Sequence, residues 1–245
     1  MKVTALWRHP MKAHGRETLD EVTLVAGASM PFDRTWAVAH DNSKAKAGEW
    51  AACRNFTRAA AMPQLQAITA TLDEAAQTLT LRHPDRPDLT FNPDRDIADF
   101  LDWVAPLCPP DRAQPQNILR IGERGFTDSP IASVSLMNMA SHAAVEAAAN
   151  ATLDTARWRG NVWFDGAPAW SEFGFVGKTL RLGAATVRVD APYQRCKSIM
   201  ANTDTGQRDH DLLQTLRSFG HQNFGVGFTV LDGGKIRIGD QLELV

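Results

Sequence analysis

The sequence is poor in cysteine and has no long apolar run. Three cysteines, Cys53, Cys108 and Cys196, are spread over 245 residues, too few for a disulfide framework or a four-cysteine iron–sulfur cluster. No apolar stretch approaches the roughly 20 residues of a membrane-spanning helix, and residues 1–20 lack the apolar core of a secretion signal. We therefore expect a cytoplasmic protein with reduced thiols and no membrane partner.

An excess of charge of one sign is also missing. Lysine and arginine total 26 against 28 aspartates and glutamates, a net charge of −2. This balance predicts no nucleic-acid partner and no attraction to an anionic membrane. The sequence has no P-loop, no Gly-x-Ser-x-Gly elbow and no zinc-type pairing of histidine with cysteine. Any chemistry must therefore come from other residues.

Short alternating runs of apolar and polar residues dominate the chain. They predict strands at 2–6, 21–25, 35–39, 66–72, 77–81, 179–189 and 225–245. Asp232-Gly233-Gly234 predicts a tight hairpin inside the last segment. Helices are predicted at 97–104 with Asp96 as its N-cap, at 136–149 and at 207–219. This pattern indicates a mainly β (α+β) fold made of barrels rather than βαβ units.

A proline-rich segment between residues 84 and 115 interrupts the pattern. Proline removes a backbone donor and restricts the residue before it, so regular structure is not expected to continue through this segment. We place a domain boundary here, which gives domains at 1–105 and 106–245.

Cys196 is the strongest candidate for chemistry. It lies between Arg195 and Lys197 after a strand-like run, and nearby positive charge favours the thiolate, which attacks electrophiles and binds soft metals. An incidental buried thiol is the alternative. Cys53 is followed by Arg54 and so has half of the same feature, whereas Cys108, among prolines, is expected to be structural.

Arg157, Arg159 and Asn161 form a second candidate site. On a strand the two arginines would point to the same face and could bind one phosphate or carboxylate, with Asn161 adding a directed amide. A solvated edge strand is the alternative. Lys12, after a proline turn, and Arg34, before a strand, are each compatible with ordinary surface charge.

Taken in order, these segments resemble the MOSC family (molybdenum cofactor sulfurase C-terminal domain), preceded by its N-terminal β-barrel domain. The resembling segments are 6–12, 27–36, 54–63, 126–131, 135–141, 157–161, 172–183, 195–196, 202–206 and 234–240. The family includes the mitochondrial amidoxime-reducing component and bacterial reductases of N-hydroxylated compounds. The resemblance implies an N-terminal β-barrel-like domain followed by a MOSC β-barrel with a few peripheral helices.

The resemblance also implies roles for individual residues. Cys196 would be the catalytic residue and the molybdenum ligand of a molybdenum cofactor (Mo-molybdopterin). The implied cofactor contacts are Lys12, Arg34, Arg159 and Asn161, with Asn138, Ser141, Arg157 and Arg195 as further candidates. Pyridoxal phosphate binding is another family-level expectation. Three departures from the family pattern are Tyr193, where many relatives carry cysteine or histidine, Gly160 in place of proline, and Trp158 in place of phenylalanine.

The implied activity is reduction of an N-oxygenated small-molecule substrate. Because the chain ends directly after the last predicted strand, electrons are expected from a separate ferredoxin- or flavoprotein-type donor. Two other functions stay open. Cys196 could carry a persulfide in a sulfur-transfer protein, or the protein could bind the molybdenum cofactor without catalysis.

Overall fold

The computed structural model describes residues 1–122 and 124–245, and β-strands dominate it. The strands of the first half are β1 (Lys2–Arg8), β2 (Met11–Lys12), β3 (Glu17–Leu19), β4 (Glu21–Leu24), β5 (Trp36–His40), β6 (Thr69–Asp73), β7 (Thr78–His83) and β8 (Arg86–Phe91). Those of the second half are β9 (Pro115–Arg120), β10 (Val134–Asn138), β11 (Val162–Asp165), β12 (Thr179–Leu182), β13 (Ala185–Gln194), β14 (Asn223–Asp232), β15 (Gly234–Arg237) and β16 (Leu242–Leu244). The helices are α1 (Ile97–Val104), α2 (Met139–Ala149) and α3 (Leu212–Ser218). The predicted mainly β fold is confirmed, and within the described residues no helix has the length and apolarity to cross a bilayer.

The largest sheet is curled and has eight strands, in the order β16-β12-β13-β14-β10-β11-β1-β3. Strand β1 runs antiparallel to β11, with Lys2 opposite Asp165. The β1 register shifts between Val3 and Ala5, so that Val3 and Leu6 are both buried in one apolar core with Phe164 and Phe228. The first strand of the chain is therefore part of the core of the C-terminal half.

Three smaller sheets complete the fold, in the orders β2-β5-β9, β6-β7-β8 and β15-β4. Strand β9 pairs with β5, and β15 pairs with β4. Three pairs of strands, β1 with β11, β5 with β9 and β4 with β15, thus join residues 1–105 to 106–245. The domain boundary at residue 105 stays a prediction. Strands from the two segments pair with each other in the same sheets.

The hairpin predicted at 66–72 and 77–81 is present as β6 and β7, although Gln66 lies in a 3-10 turn. Helix α1 also matches its predicted range, and Phe100 and Trp103 pack onto this hairpin's core. Asp96 is the N-cap residue, as predicted, but its carboxylate accepts from the Asn92 N–H at 2.7 Å and makes no side-chain bond to the helix N-terminus.

Other predicted elements are corrected by tertiary context. The segment predicted as a helix at 136–149 begins as strand β10, whose five residues are all buried between β14 and β11. Asn138 then caps α2 by accepting from the Ala140 N–H at 3.0 Å. Helix α3 begins only at Leu212, after the Asp211 cap.

Two turns also differ from expectation. The strand predicted at 179–189 breaks near Gly183, which has φ +54°, into β12 and β13. The hairpin predicted at Asp232-Gly233-Gly234 is wrong, because β14 pairs with β13 and β10 while β15 pairs with β4. Neither Gly233 nor Gly234 has a positive φ.

Candidate functional site

A cavity of about 430 Å³ lies where the small β2-β5-β9 sheet meets the large sheet. It is lined by six of the nine predicted site residues: Lys12, Arg34, Arg159, Asn161, Arg195 and Cys196. These come from segments up to 184 positions apart along the chain (196 − 12). The fold therefore brings together the thiol and four of the predicted cations.

Arg34 is fixed by its backbone. It has a left-handed conformation (φ 57°), its N–H donates to His9 O at 2.7 Å, and its own carbonyl accepts from the Phe126 N–H at 2.7 Å. The guanidinium pairs with buried Asp33 and donates to Arg159 O at 3.0 Å. Burial alone would lower the pKa of Arg34, but the Asp33 carboxylate outweighs it and raises the pKa.

The Arg159 guanidinium lacks a full set of hydrogen-bond acceptors. It follows the 3-10 turn Thr155–Trp158 at φ 49°, and its Nη2 donates to Gly15 O at 3.1 Å. Its Nη1 is buried and has no hydrogen-bond partner among residues 1–122 and 124–245. Burial, together with the nearby charges of Arg34 and Arg16, lowers the pKa of Arg159 to about 9. An anion in the cavity would supply the missing acceptor and offset this clustered charge.

Arg195 holds the segment that presents Cys196. Its Nε donates to Phe224 O at 2.9 Å and its Nη1 to Trp158 O at 2.9 Å, across the stacked Trp158 and Phe224 rings. Burial lowers the pKa of Arg195 to about 10. The next residue, Cys196, is exposed at the cavity, with Sγ 3.1 Å from Ser198 Oγ. The thiol is thus accessible on a segment fixed by a half-buried cation.

Lys12 completes the set of cations. It is 5% exposed, and its Nζ donates to Phe126 O at 2.8 Å and pairs with Asp128. Desolvation raises the pKa of Asp128, but Lys12 and Arg34 outweigh it, so the pKa lies below the usual range. Asp128 is therefore an ionised carboxylate at neutral pH.

Asn161 lines the cavity, but its amide is already used. Its Oδ1 accepts from Ser135 Oγ at 2.8 Å, and its Nδ2 donates to Trp7 O at 3.2 Å. The side chain joins β1 to β10 and is 2% exposed. It therefore shapes the wall of the cavity.

Arg157 is not among the lining residues. The prediction that Arg157 and Arg159 share one face of a strand is wrong, because the 3-10 turn and the left-handed residue after it send them to different places. The Arg157 guanidinium forms a two-point ion pair with Asp209, with Nη1 to Oδ1 at 2.8 Å. It is buried behind the cavity and supports the turn that carries Arg159.

Asn138 and Ser141 also lie outside the cavity lining. Asn138 Nδ2 donates to Glu172 at 2.9 Å and Ser141 Oγ donates at 2.7 Å, and all three side chains are fully buried. Burial raises the pKa of Glu172 against these hydrogen bonds. This cluster attaches the start of α2 to the turn Ser171–Phe175.

Sequence reasoning missed several lining residues, chiefly Cys53, Arg58, Ser133 and Tyr193. Cys53 had a weak signal in its following arginine, and its Sγ lies 3.8 Å from Arg58 Nη1. Tyr193 was visible only as a departure from the family pattern. Arg58 lies in the segment 54–63 that resembles the family but was not singled out there, and Ser133 had no local signal, because only the tertiary fold brings it here.

The protein side chains alone offer few metal ligands. Within the described part of the chain, no group of three or more His, Cys, Asp or Glu side chains is placed to hold a metal ion. A metal bound to Cys196 would therefore take its other ligands from a cofactor or from solvent.

Comparison with family models decides the assignment. The model for the MOSC domain matches residues 123–243, and the model for the MOSC N-terminal beta barrel domain matches residues 1–102. This chain belongs to the MOSC family. MOSC domains are associated with molybdenum cofactor binding, and their members are often enzymes related to that cofactor.

Similar solved structures are distant in sequence. YiiM from Geobacillus stearothermophilus is 21% identical over 46% of this chain and 53% of that chain, with a TM-score of 0.37. YiiM from Escherichia coli is 20% identical over the same shares, with a TM-score of 0.34. The YUAD protein from Bacillus subtilis is 10% identical over 99% of this chain and 94% of that chain, with a TM-score of 0.45. The MOSC chain thus spans 53% of the length of the YiiM structures, and no curated protein matches it.

Proposed function

We propose that this MOSC protein is a molybdenum-cofactor oxidoreductase that reduces N-oxygenated small molecules. Cys196 is the metal ligand, and the cations of the cavity hold the anionic cofactor. The observation that supports this most directly is the exposed Cys196 thiol in one cavity with Lys12, Arg34, Arg159 and Arg195. We place the protein in the cytoplasm, where such a thiol stays reduced.

The lining residues fit an anionic group that carries a soft metal. Four cations face the cavity, and Asp33 and Asp128 are the carboxylates that pair with them. The free Nη1 of Arg159 needs an acceptor that these carboxylates do not provide. Phosphate oxygens supply such acceptors, and a thiolate is the protein ligand that a soft metal prefers.

The cations of the cavity have different roles, according to where they lie. Arg159 and Arg34 bind the cofactor's phosphate, Lys12 is available once Asp128 moves aside, and Arg195 keeps Cys196 at the cavity. When bound, the molybdenum centre supplies the two-electron redox step. The chain itself orients the substrate and neutralises the charge of the cofactor.

A sulfur-transfer function is the second candidate, because Cys53 lines the same cavity as Cys196. One thiol could carry a persulfide and the other could accept its outer sulfur by thiol exchange. Incubation with a cysteine desulfurase and cysteine, followed by mass spectrometry, would then show one added sulfur on Cys196.

The reductase proposal is tested by metal analysis of protein from a molybdenum-replete host, together with benzamidoxime reduction by reduced methyl viologen. We expect stoichiometric molybdenum and turnover in the wild type. Cys196→Ser should lose both, because a hydroxyl is a poor ligand for a soft metal.

Cys53→Ser is the matched control, since it changes the other thiol of the same cavity. It should keep its molybdenum and its turnover. Full metal retention in Cys196→Ser would overturn the assignment of the ligand. Molybdenum binding without turnover with any donor would instead favour a non-catalytic cofactor-binding protein.

We further propose that the electron donor is a separate ferredoxin- or flavoprotein-type protein with an acidic docking face. Lys197 follows Cys196, Arg54 follows Cys53, and Arg208 donates to the carbonyl of the lining residue Ala60 at 2.8 Å. All three cations are exposed, and none makes an ion pair within residues 1–122 and 124–245. They add positive charge near the cavity of a protein whose net charge is −2.

Turnover driven by an acidic ferredoxin should therefore slow as salt rises from 50 to about 500 mM, because screening weakens attraction between exposed charges. Turnover driven by methyl viologen is the control and should change much less. Equal salt dependence with both donors would contradict docking at this surface.

A further inference from the structure

Tyr193 is the only tyrosine of the chain and lines the cavity. Its hydroxyl is 2.8 Å from Oγ of Ser133, another lining residue. Arg195 lies with its guanidinium carbon 6.0 Å from the centre of the Tyr193 ring. The phenol is thus a neutral hydroxyl among the cations, and the cofactor-binding roles given above do not use it.

The fold makes specific room for this side chain. In the large sheet, Gly227 of β14 pairs with Ala191 of β13 on one side and with Ser135 of β10 on the other. A Cβ at Gly227 would come within 2.6 Å of Tyr193 Cε1 and would collide with the hydroxyl. The missing side chain lets the ring cross β14 and reach Ser133, directly before β10.

Asp128 and the arginines of the cavity are poor proton donors at neutral pH. Asp128 has a lowered pKa and is ionised, and the arginines release protons only at high pH. Burial raises the pKa of Tyr193, which keeps the phenol protonated, while Arg34 and Arg195 favour its anion and Asp190 opposes it. A protonated phenol with cations beside it can give up a proton and hold the resulting charge.

We propose that Tyr193 is a catalytic proton donor that protonates the oxygen leaving an N-hydroxylated substrate. The inference rests on the proposed reductase function. Reduction of an N-hydroxyl group consumes two electrons from the donor protein and two protons. The N–O bond breaks, the oxygen leaves as water, and the nitrogen gains a hydrogen.

In this scheme Tyr193 gives one proton to the oxygen and solvent gives the other. The tyrosinate is stabilised by Arg34 and Arg195 until it regains a proton from water through the Ser133 hydroxyl. Ser133 is therefore a relay residue, and Gly227 positions the phenol.

Tyr193→Phe tests the proposal, because it removes the hydroxyl and keeps the ring over Gly227. With benzamidoxime and reduced methyl viologen, we expect kcat to fall about 100-fold and KM to stay within about twofold. Ser133→Ala should lower kcat by a smaller factor, about 10-fold. The molybdenum content of each variant is measured first and should equal that of the wild type.

A second readout does not depend on turnover. Protein labelled with ¹³C at the tyrosine Cζ gives one signal, since there is one tyrosine. Benzamidoxime added without reductant should shift this signal, because the phenol bonds to the ligand. The same addition should leave the signal unmoved in Gly227→Ala, where the added Cβ displaces the ring.

The outcomes separate the two proposals. If the molybdenum-loaded wild type does not reduce benzamidoxime, the reductase function fails, and the role of Tyr193 fails with it. If the wild type turns over and Tyr193→Phe keeps its kcat, only the role of Tyr193 is overturned. A wild-type signal that does not move at saturating benzamidoxime would overturn it as well.

Discussion

Arg157 and Arg159 are two residues apart and have opposite surroundings. Arg157 is neutralised by Asp209 through a two-point ion pair. Arg159 faces a cavity with other cations, and one of its buried nitrogens has no partner in the described chain. One arginine therefore stabilises the fold, whereas the other is arranged to bind an anion.

We expect Arg157→Met to lower the free energy of unfolding by about 2 kcal/mol, because it leaves Asp209 without its charged partner. Desolvation raises the pKa of Asp209, but the Arg157 hydrogen bond outweighs it and lowers the pKa from 3.8 to about 2. The stabilisation is thus present above about pH 4 and is lost as the pH falls towards 2. Urea unfolding of both proteins between pH 7 and pH 2 measures it.

Arg159→Met is the matched variant. It removes a half-buried charge from a cluster of cations, so the free energy of unfolding without ligand should change by less than about 1 kcal/mol. Phosphate affinity, measured by calorimetric titration, should fall at least about 10-fold, since charged hydrogen bonds are lost. Destabilisation equal to that of Arg157→Met would show that Arg159 is a structural residue.

At the scale of elements, the turn before β11 is fitted closely against β10. A Cβ at Gly160 would lie 2.8 Å from Met137 Cε and closer still to Cγ. Met137 is fully buried in β10, and its sulfur is 3.4 Å from Arg195 Nη2. A glycine beside a long methionine therefore couples the Arg159 turn to the Arg195 segment.

Gly160→Ala should lower the free energy of unfolding by about 1–3 kcal/mol through overpacking. Combined with Met137→Ala, it should cost less than the sum of the two single changes by about 1–2 kcal/mol, because the shorter side chain removes the collision. Chemical denaturation of the four proteins gives the coupling energy. Strict additivity would mean that the two residues are not in contact.

Local sequence patterns were sufficient for some elements and misleading for others. The β6–β7 hairpin and α1 follow from short alternating or amphipathic runs, which tertiary contacts leave unchanged. Residues 136–138 were predicted as helix because alanines follow them, yet burial in the middle of the large sheet makes them β10. Position in the sheet is a tertiary property that no local window contains.

Sequence motifs likewise identified some residues of the candidate site and missed or misplaced others. Recognisable motifs contain Cys196 and the cations at 12, 34, 159 and 195, and the fold places these residues together. Asn138 and Ser141 also lie in such a motif, but their side chains donate hydrogen bonds to buried Glu172 and do not line the cavity. Ser133 is near Tyr193 only because Gly227 lets the ring cross a strand, and that contact has no signature in the sequence.

At the scale of the whole molecule, the two sequence segments form one interlocked structure. Strand β1 lies between β11 and β3, β4 pairs with β15, and β5 pairs with β9. Val3, Leu6, Val22 and Leu24 share a core with residues of the C-terminal half. The cavity needs both segments, since Lys12 and Arg34 come from one and Cys196 from the other.

Separate expression of 1–105 and 106–245 should therefore give fragments without stable tertiary structure, because each lacks strands that cover its core. Calorimetry of the full chain should show one cooperative unfolding transition. Dispersed amide spectra and independent melting of both fragments would establish two autonomous domains.

The pairing of Lys2 with Asp165 also has a consequence for synthesis. A ribosome makes roughly 5–20 residues per second, so β1 waits on the order of ten seconds for its partner strand to be made. During that time its apolar residues are exposed on the nascent chain, where holding chaperones would protect them. The cavity exists only after these long-range pairings close, so an anion can bind there only late in synthesis.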